Sequence, residues 1–176
     1  NLHKLIASAH KNLGEILTSL QQYELSIMEF EKAIEISEDG PADVFLLIGN
    51  EYQNLKKYEK AIHFYKLALE QDGEDELALY NIAYCFDLTD SNEDSITFFT
   101  DFLDRNPYSE IGWYQLSVSY HNVSKLEEAL DAVDFAIVID DDFELIDDRI
   151  AARRPDVFSQ SPSNLLRLFA VIGRDQ

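Results

Sequence analysis

A shift of 34 residues lays this chain onto itself twice without a gap. With Ala42 set on Glu76 and Glu110, Phe45, Leu79 and Trp113 share a column. So do Ile48, Ile82 and Leu116; Tyr52, Phe86 and Tyr120; Ala61, Ser95 and Ala129; and Tyr65, Phe99 and Val133. An earlier copy fits with one extra residue in its closing loop, Ser37 to Pro41. It sets Leu13 on Ile48, Gly14 on Gly49, Ser26 on Ala61, Phe30 on Tyr65 and Ala33 on Ala68. A fixed period of this length requires one small supersecondary unit per copy, stacked on its neighbours.

Inside each copy, apolar residues recur at three- and four-residue steps, the stripe of an amphipathic helix. Two such helices per copy flank a polar turn: Gln21-Gln22, Asn54 to Lys57, Thr89 to Asn92, and Asn122 to Lys125. Small residues fall where two helix axes must approach: Gly14, Gly49, Ala83 and Ser117 on first helices, and Ser26, Ala61, Ser95 and Ala129 on second ones. Large ones, among them Tyr52, Tyr65, Phe86, Phe99, Trp113 and Tyr120, fill the space around those contacts. Asp72-Gly73 and Asn106-Pro107 separate one hairpin from the next.

The second copy reads Phe45…Ile48-Gly49…Tyr52…Tyr58…Ala61…Tyr65…Ala68. This pattern resembles the tetratricopeptide repeat. The resemblance covers residues 7–143 as four copies, at about 7–41, 42–75, 76–109 and 110–143. It implies an all-α fold, a right-handed α-α superhelix of stacked helix-turn-helix repeats. Some positions depart from the pattern. Phe102 stands where the other copies carry Ala33, Ala68 and Ala136, Ala83 stands where Gly is usual, and His10 occupies the aromatic column. The third hairpin should therefore be splayed or repacked. Beyond residue 143 the pattern fails, so 144–176 reads as an incomplete repeat and a cap. There, Glu144 to Arg154 reads as one more first helix and Leu165 to Ile172 as a final apolar one, which is expected to fold back on the stack, the alternatives being contact with another copy or continuation into further sequence.

In the family that the repeat resembles, the first helices line a concave groove. That implies groove positions one residue after the aromatic column and one after the glycine column: Lys11 and Glu15, Leu46 and Asn50, Tyr80 and Tyr84, Tyr114 and Val118. One turn further lie Gln53, Asp87 and His121, with Thr18 the first-copy equivalent. Tyrosines give large contact area with a hydrogen bond at low entropic cost, and amides can pair with a peptide backbone. Alternatively, the tyrosines only pack across adjacent hairpins. Some members of the family grip a carboxylate tail with several cations, but here only Lys11 and Asn50 stand at suitable positions. The expected partner is a protein or peptide that is neutral, apolar or basic.

Charge agrees. The net charge is −20, from 34 acidic and 14 basic residues, which disfavours nucleic acid and anionic membrane faces as partners. Residues 70–110 hold 12 acids with Arg105 as the one base, and 127–148 hold 10 acids and no base. The acidic run Asp140 to Phe143 with Glu144, Asp147 and Asp148 lacks the central Gly and terminal Glu of a calcium loop and reads as charge at a helix start. His3 and His10 lie too far apart on one helix to share a metal. A single cysteine, Cys85, reads as an inert packed thiol and fits a reducing, cytoplasmic setting. No nucleophile elbow, phosphate loop or dinucleotide fingerprint occurs, so no catalytic residue, metal or cofactor is expected. The function expected is a non-enzymatic protein-binding scaffold. The alternatives are a self-associating structural module, acting through Leu165–Ile172, or the regulatory repeat region of a larger enzyme or complex.

Overall fold

The computed structural model describes residues 2–37, 42–71, 73 and 75–140. Among these it shows eight α-helices and no strand: α1 (Leu2–Ser19), α2 (Tyr23–Ile36), α3 (Ala42–Asn54), α4 (Tyr58–Gln71), α5 (Glu76–Leu88), α6 (Asn92–Arg105), α7 (Glu110–Asn122) and α8 (Leu126–Asp140). They form an all-α helical-repeat solenoid in which α2 packs on α3, α4 on α5 and α6 on α7. The chain divides into two compact units, Asn1–Ala136 and Ile137–Gln176. The acidic run after Asp140, the incomplete repeat and the apolar segment Leu165–Ile172 lie outside the described residues.

The period is written into the backbone at the turns. Gln21, Lys56, Asp90 and Ser124 all carry positive φ, between 53° and 61°. Around each, the same two bonds close the first helix. In the first copy, Gln21 N donates to Thr18 O and Gln22 N to Leu17 O; in the second, Lys56 N donates to Gln53 O and Lys57 N to Tyr52 O. Asp90 and Ser91, then Ser124 and Lys125, repeat it. This left-handed cap satisfies the last carbonyls of one helix and reverses the chain into the next. Helix starts are fixed separately: Asp75 accepts from Ala78 N at 2.9 Å and Ser109 from Gly112 N at 3.1 Å.

The repeat columns form the core. Ile48, Ala61, Tyr65, Ile82 and Phe99 are each 0% exposed. Tightness of each hairpin follows its glycine. A Cβ at Gly14 would lie 2.4 Å from the Phe30 ring, and one at Gly49 would lie 2.4 Å from the Tyr65 ring. Those rings therefore rest on bare backbone, and α1/α2 and α3/α4 run close along their length. The equivalent residues in the later copies, Ala83 and Ser117, each carry a Cβ. Helices α5 and α6 approach far less closely, and α7 and α8 less still, while the junctions between hairpins persist. The splayed third hairpin expected from Ala83 and Phe102 is thus present. The Phe102 ring is taken up at the next junction, where a Cβ on Gly112 would meet it at 3.0 Å. Trp113 stacks on Phe135 at 4.5 Å and ties α7 to α8.

A buried polar link joins the first two hairpins. Thr18 Oγ1 donates to Glu51 Oε1 at 2.7 Å and lies 2.9 Å from Ser26 Oγ, which donates to Gly14 O at 2.9 Å. Glu51 is 1% exposed, and its second oxygen, Oε2, has no hydrogen-bond partner. Burial raises the pKa of this carboxyl, against the opposing pull of hydrogen bonds from Thr18 and Asn54.

Candidate functional site

Five of the groove positions expected from sequence converge. Tyr80, Tyr84 and Asp87 on α5 and Tyr114 and Val118 on α7 line one open pocket of about 380 Å³. They meet because each pair recurs at a four-residue step, on one face of its helix, and α7 packs beside α5. The three tyrosines are 47%, 51% and 48% exposed, so their rings do not bury one another fully. Between these walls lies a polar floor outside the positions expected from sequence: Ser95, Gln115 and Ser119, all buried. Ser95 Oγ and Ser119 Oγ are 2.7 Å apart. At the rim, Asn122 Nδ2 donates to Asn92 Oδ1 at 3.0 Å and to Asp87 Oδ1 at 3.4 Å. Among the described residues, Asp87 is the one acidic side chain lining this pocket. The floor could have been suspected from its small polar residues at core columns, Ser95 and Ser119, where other copies place Ala61 and Cys85.

The remaining positions lie elsewhere. Asn50 and Gln53 are occupied from within. The Tyr65 hydroxyl donates to Asn50 Oδ1 at 2.8 Å and Gln53 Oε1 at 3.0 Å, one proton shared between two amides. Asn81 Nδ2 also approaches Asn50 Oδ1 at 3.4 Å, and Cys85 Sγ approaches Gln53 Oε1 at 3.5 Å. Burial pushes the Cys85 thiol up to about 11, which keeps it protonated and unreactive at neutral pH. Leu46 is half-buried against the central core. Lys11 is paired with Asp43 and lies 4.0 Å from Glu15. His121 is exposed on α7, outside the pocket lining. His10, in the aromatic column of the first copy, meets Glu29 Oε2 at 2.7 Å. The Glu29 carboxyl is held below its ordinary value by hydrogen bonds from Lys32 and then His10.

A helical-repeat solenoid with an aromatic-walled pocket between successive first helices defines a class, the stacked helix-turn-helix repeat proteins. Residues 5–74 match the family model of the tetratricopeptide repeat. Among solved structures, it is similar to YrrB, described as a tetratricopeptide-repeat protein with an unusual peptide-binding site. The identity is 23%, the TM-score 0.54, and the coverage 80% of this chain and 72% of that one. It is also similar to MamA at 14% identity and TM-score 0.57, covering 76% of this chain and 77% of that one. A MamA fragment from Desulfovibrio magneticus RS-1 matches at 14% identity and TM-score 0.55, over 97% of both chains. At these identities the likeness is one of fold. No curated protein matches the chain by sequence. Among the described residues, no helix is long and apolar enough to cross a membrane.

Proposed function

We propose that this chain is a protein-interaction scaffold that holds a peptide segment of its partner against the Tyr80, Tyr84 and Tyr114 pocket. The observation that carries the reading is the half-exposure of three tyrosines around a polar floor. Each ring offers contact area that is already held in place, and the serine and amide groups below can meet a peptide backbone. Asp87 at the rim and the surrounding acid excess favour a neutral, apolar or basic segment and speed its approach at low salt. The fold of a structure described as having a peptide-binding site supports the same reading. In it the chain is a binding module rather than a catalyst. Affinity capture from the source cell supplies the partners, and calorimetry on each follows. The double variant Tyr80→Ala/Tyr114→Ala should weaken binding by about 2 kcal/mol or more. Unchanged affinity for every partner would remove the pocket from the reading.

Self-association is a second reading, and a feature of α1 favours it. Leu13 and Ile16 are 44% and 57% exposed, whereas their equivalents Ile48, Glu51, Ile82 and Cys85 in the next two copies are all at most 1% exposed. The face that later copies bury in stacking is open on α1, and a second copy could cover it. Sedimentation of Leu13→Glu/Ile16→Glu against the parent chain tests this reading. A parent that stays monomeric at every concentration removes it.

A further inference from the structure

Between α4 and α6 runs a cleft of about 620 Å³ that shares no lining residue with the tyrosine pocket. Its α6 wall is one helical stripe, Asp94, Thr97, Phe98, Asp101, Phe102 and Arg105, and Phe86 of α5 reaches its floor. Phe98 stacks on Phe102 at 6.3 Å and lies 6.1 Å from Phe86, so the half-buried Phe98 ring is backed by two buried ones, Phe86 at 7% and Phe102 at 4% exposed. Lys66 of α4 lies over it, with its Nζ 4.7 Å from the Phe98 centroid and 5.9 Å from that of Phe86. The chain's own ammonium thus already samples the chemistry of this cleft, a cation with an apolar stem over aromatic rings.

We infer that the α4/α6 cleft is a docking site for a basic amphipathic α-helix, separate from the groove on the first helices. Charge sets the sign of the partner. Glu59 and Glu70 on one wall and Asp94 and Asp101 on the other are all exposed, and Lys66 and Arg105 leave two negative charges in excess. Geometry sets its form. Both walls are helices, whose backbone groups are satisfied internally. A docking chain must therefore satisfy its own backbone, which a helix does and an extended strand does not. Glu59 to Glu70 spans about 16 Å at 1.5 Å per residue, room for three turns of a partner helix. Leu, Ile or Phe at three- and four-residue steps would lie on Phe98 and Leu69, the half-buried apolar side chains of the two walls, with Lys or Arg on either flank facing the four carboxylates.

The probe is a labelled synthetic helix of Leu and Lys with the Leu on one face. Its control is a scramble of the same composition with the Leu spread around. Fluorescence anisotropy on the full chain should show the helix binding at least about tenfold tighter than the scramble. Thr97→Trp fills the cleft from an exposed wall position without changing charge, and it should cost about tenfold. Glu59→Lys/Asp101→Lys, which reverses the rim, should do the same and decides the matter if Thr97→Trp fails to fold by circular dichroism. Tyr84→Ala/Tyr114→Ala should leave this binding unchanged even where it abolishes binding at the groove. Equal binding of the scramble overturns the inference. So does indifference to both cleft variants, or loss on the tyrosine variant.

Discussion

Gly49→Ala adds a single methyl and should open the second hairpin. Its Cβ would stand 2.4 Å from Tyr65 Cε1, 2.6 Å from Cδ1 and 3.0 Å from Cζ, against the 3.4–4 Å of ordinary contact. Helix α4 must therefore move away from α3 by at least about 1 Å. The ring cannot swing aside instead, because it is fully buried and its hydroxyl is tied to Asn50 and Gln53. Two effects oppose each other. Alanine is favoured over glycine in a helix by about 1 kcal/mol. Overpacking a filled core costs about 1–3 kcal/mol, and straining the Tyr65 hydrogen bonds costs about 1 kcal/mol more. The clash wins, with a net loss of about 2 kcal/mol. Urea unfolding followed by far-ultraviolet circular dichroism measures it, with Gly73→Ala as the control. There the nearest atoms to the added Cβ are 3.9 Å away, so no loss is expected. If Gly49→Ala unfolds at the same or higher urea than the parent, glycine clearance does not set hairpin closure.

Two further outcomes follow from buried contacts. The raised pKa of Glu51 means that the unfolded chain gives up this proton first as pH rises. Its contribution to stability should therefore be most favourable below the ordinary value of 4.5 and fall as pH climbs through the raised folded value. Glu51→Gln should flatten that decline in thermal midpoint against pH, and an unchanged profile would refute the assignment. Phe102→Ala should cost about 3–5 kcal/mol by leaving a cavity against Gly112, and Gly112→Ala should be tolerated better in that background than alone. A double-mutant cycle with no coupling of at least about 1 kcal/mol would show that the two positions do not share space.

The repeat made much of this fold legible before any coordinate. Columns such as Ile48/Ile82 mark the core because a fixed period repeats the same burial, and the turn at Lys56 shows as a polar break between two stripes. Ala83 and Phe102 also announced the widened hairpin, because side-chain volume is readable from sequence. Pairings between helices were not readable. Asn50 and Gln53 sit at groove spacing, yet their amides are taken by a Tyr65 hydroxyl that reaches them from the second helix. Glu51 looks like a solvated charge until Thr18, 33 positions earlier, is seen beneath it. The α4/α6 cleft has no sequence signature of its own. It exists because of a separation between helices that no single residue encodes.

The glycine pattern also sets how the described hairpins would yield to force. Gly14 and Gly49 belong to hairpins whose helices grip along their length, and the matched family segment, 5–74, ends where that grip ends. Beyond it the helices hold mainly to the next hairpin, not to their own partner. Under tension, α1 to α4 would act as a stiff handle and the helices from α5 on as a compliant spring. The extension would be taken up from α5 on, where the tyrosine pocket lies, so tension would reshape that pocket.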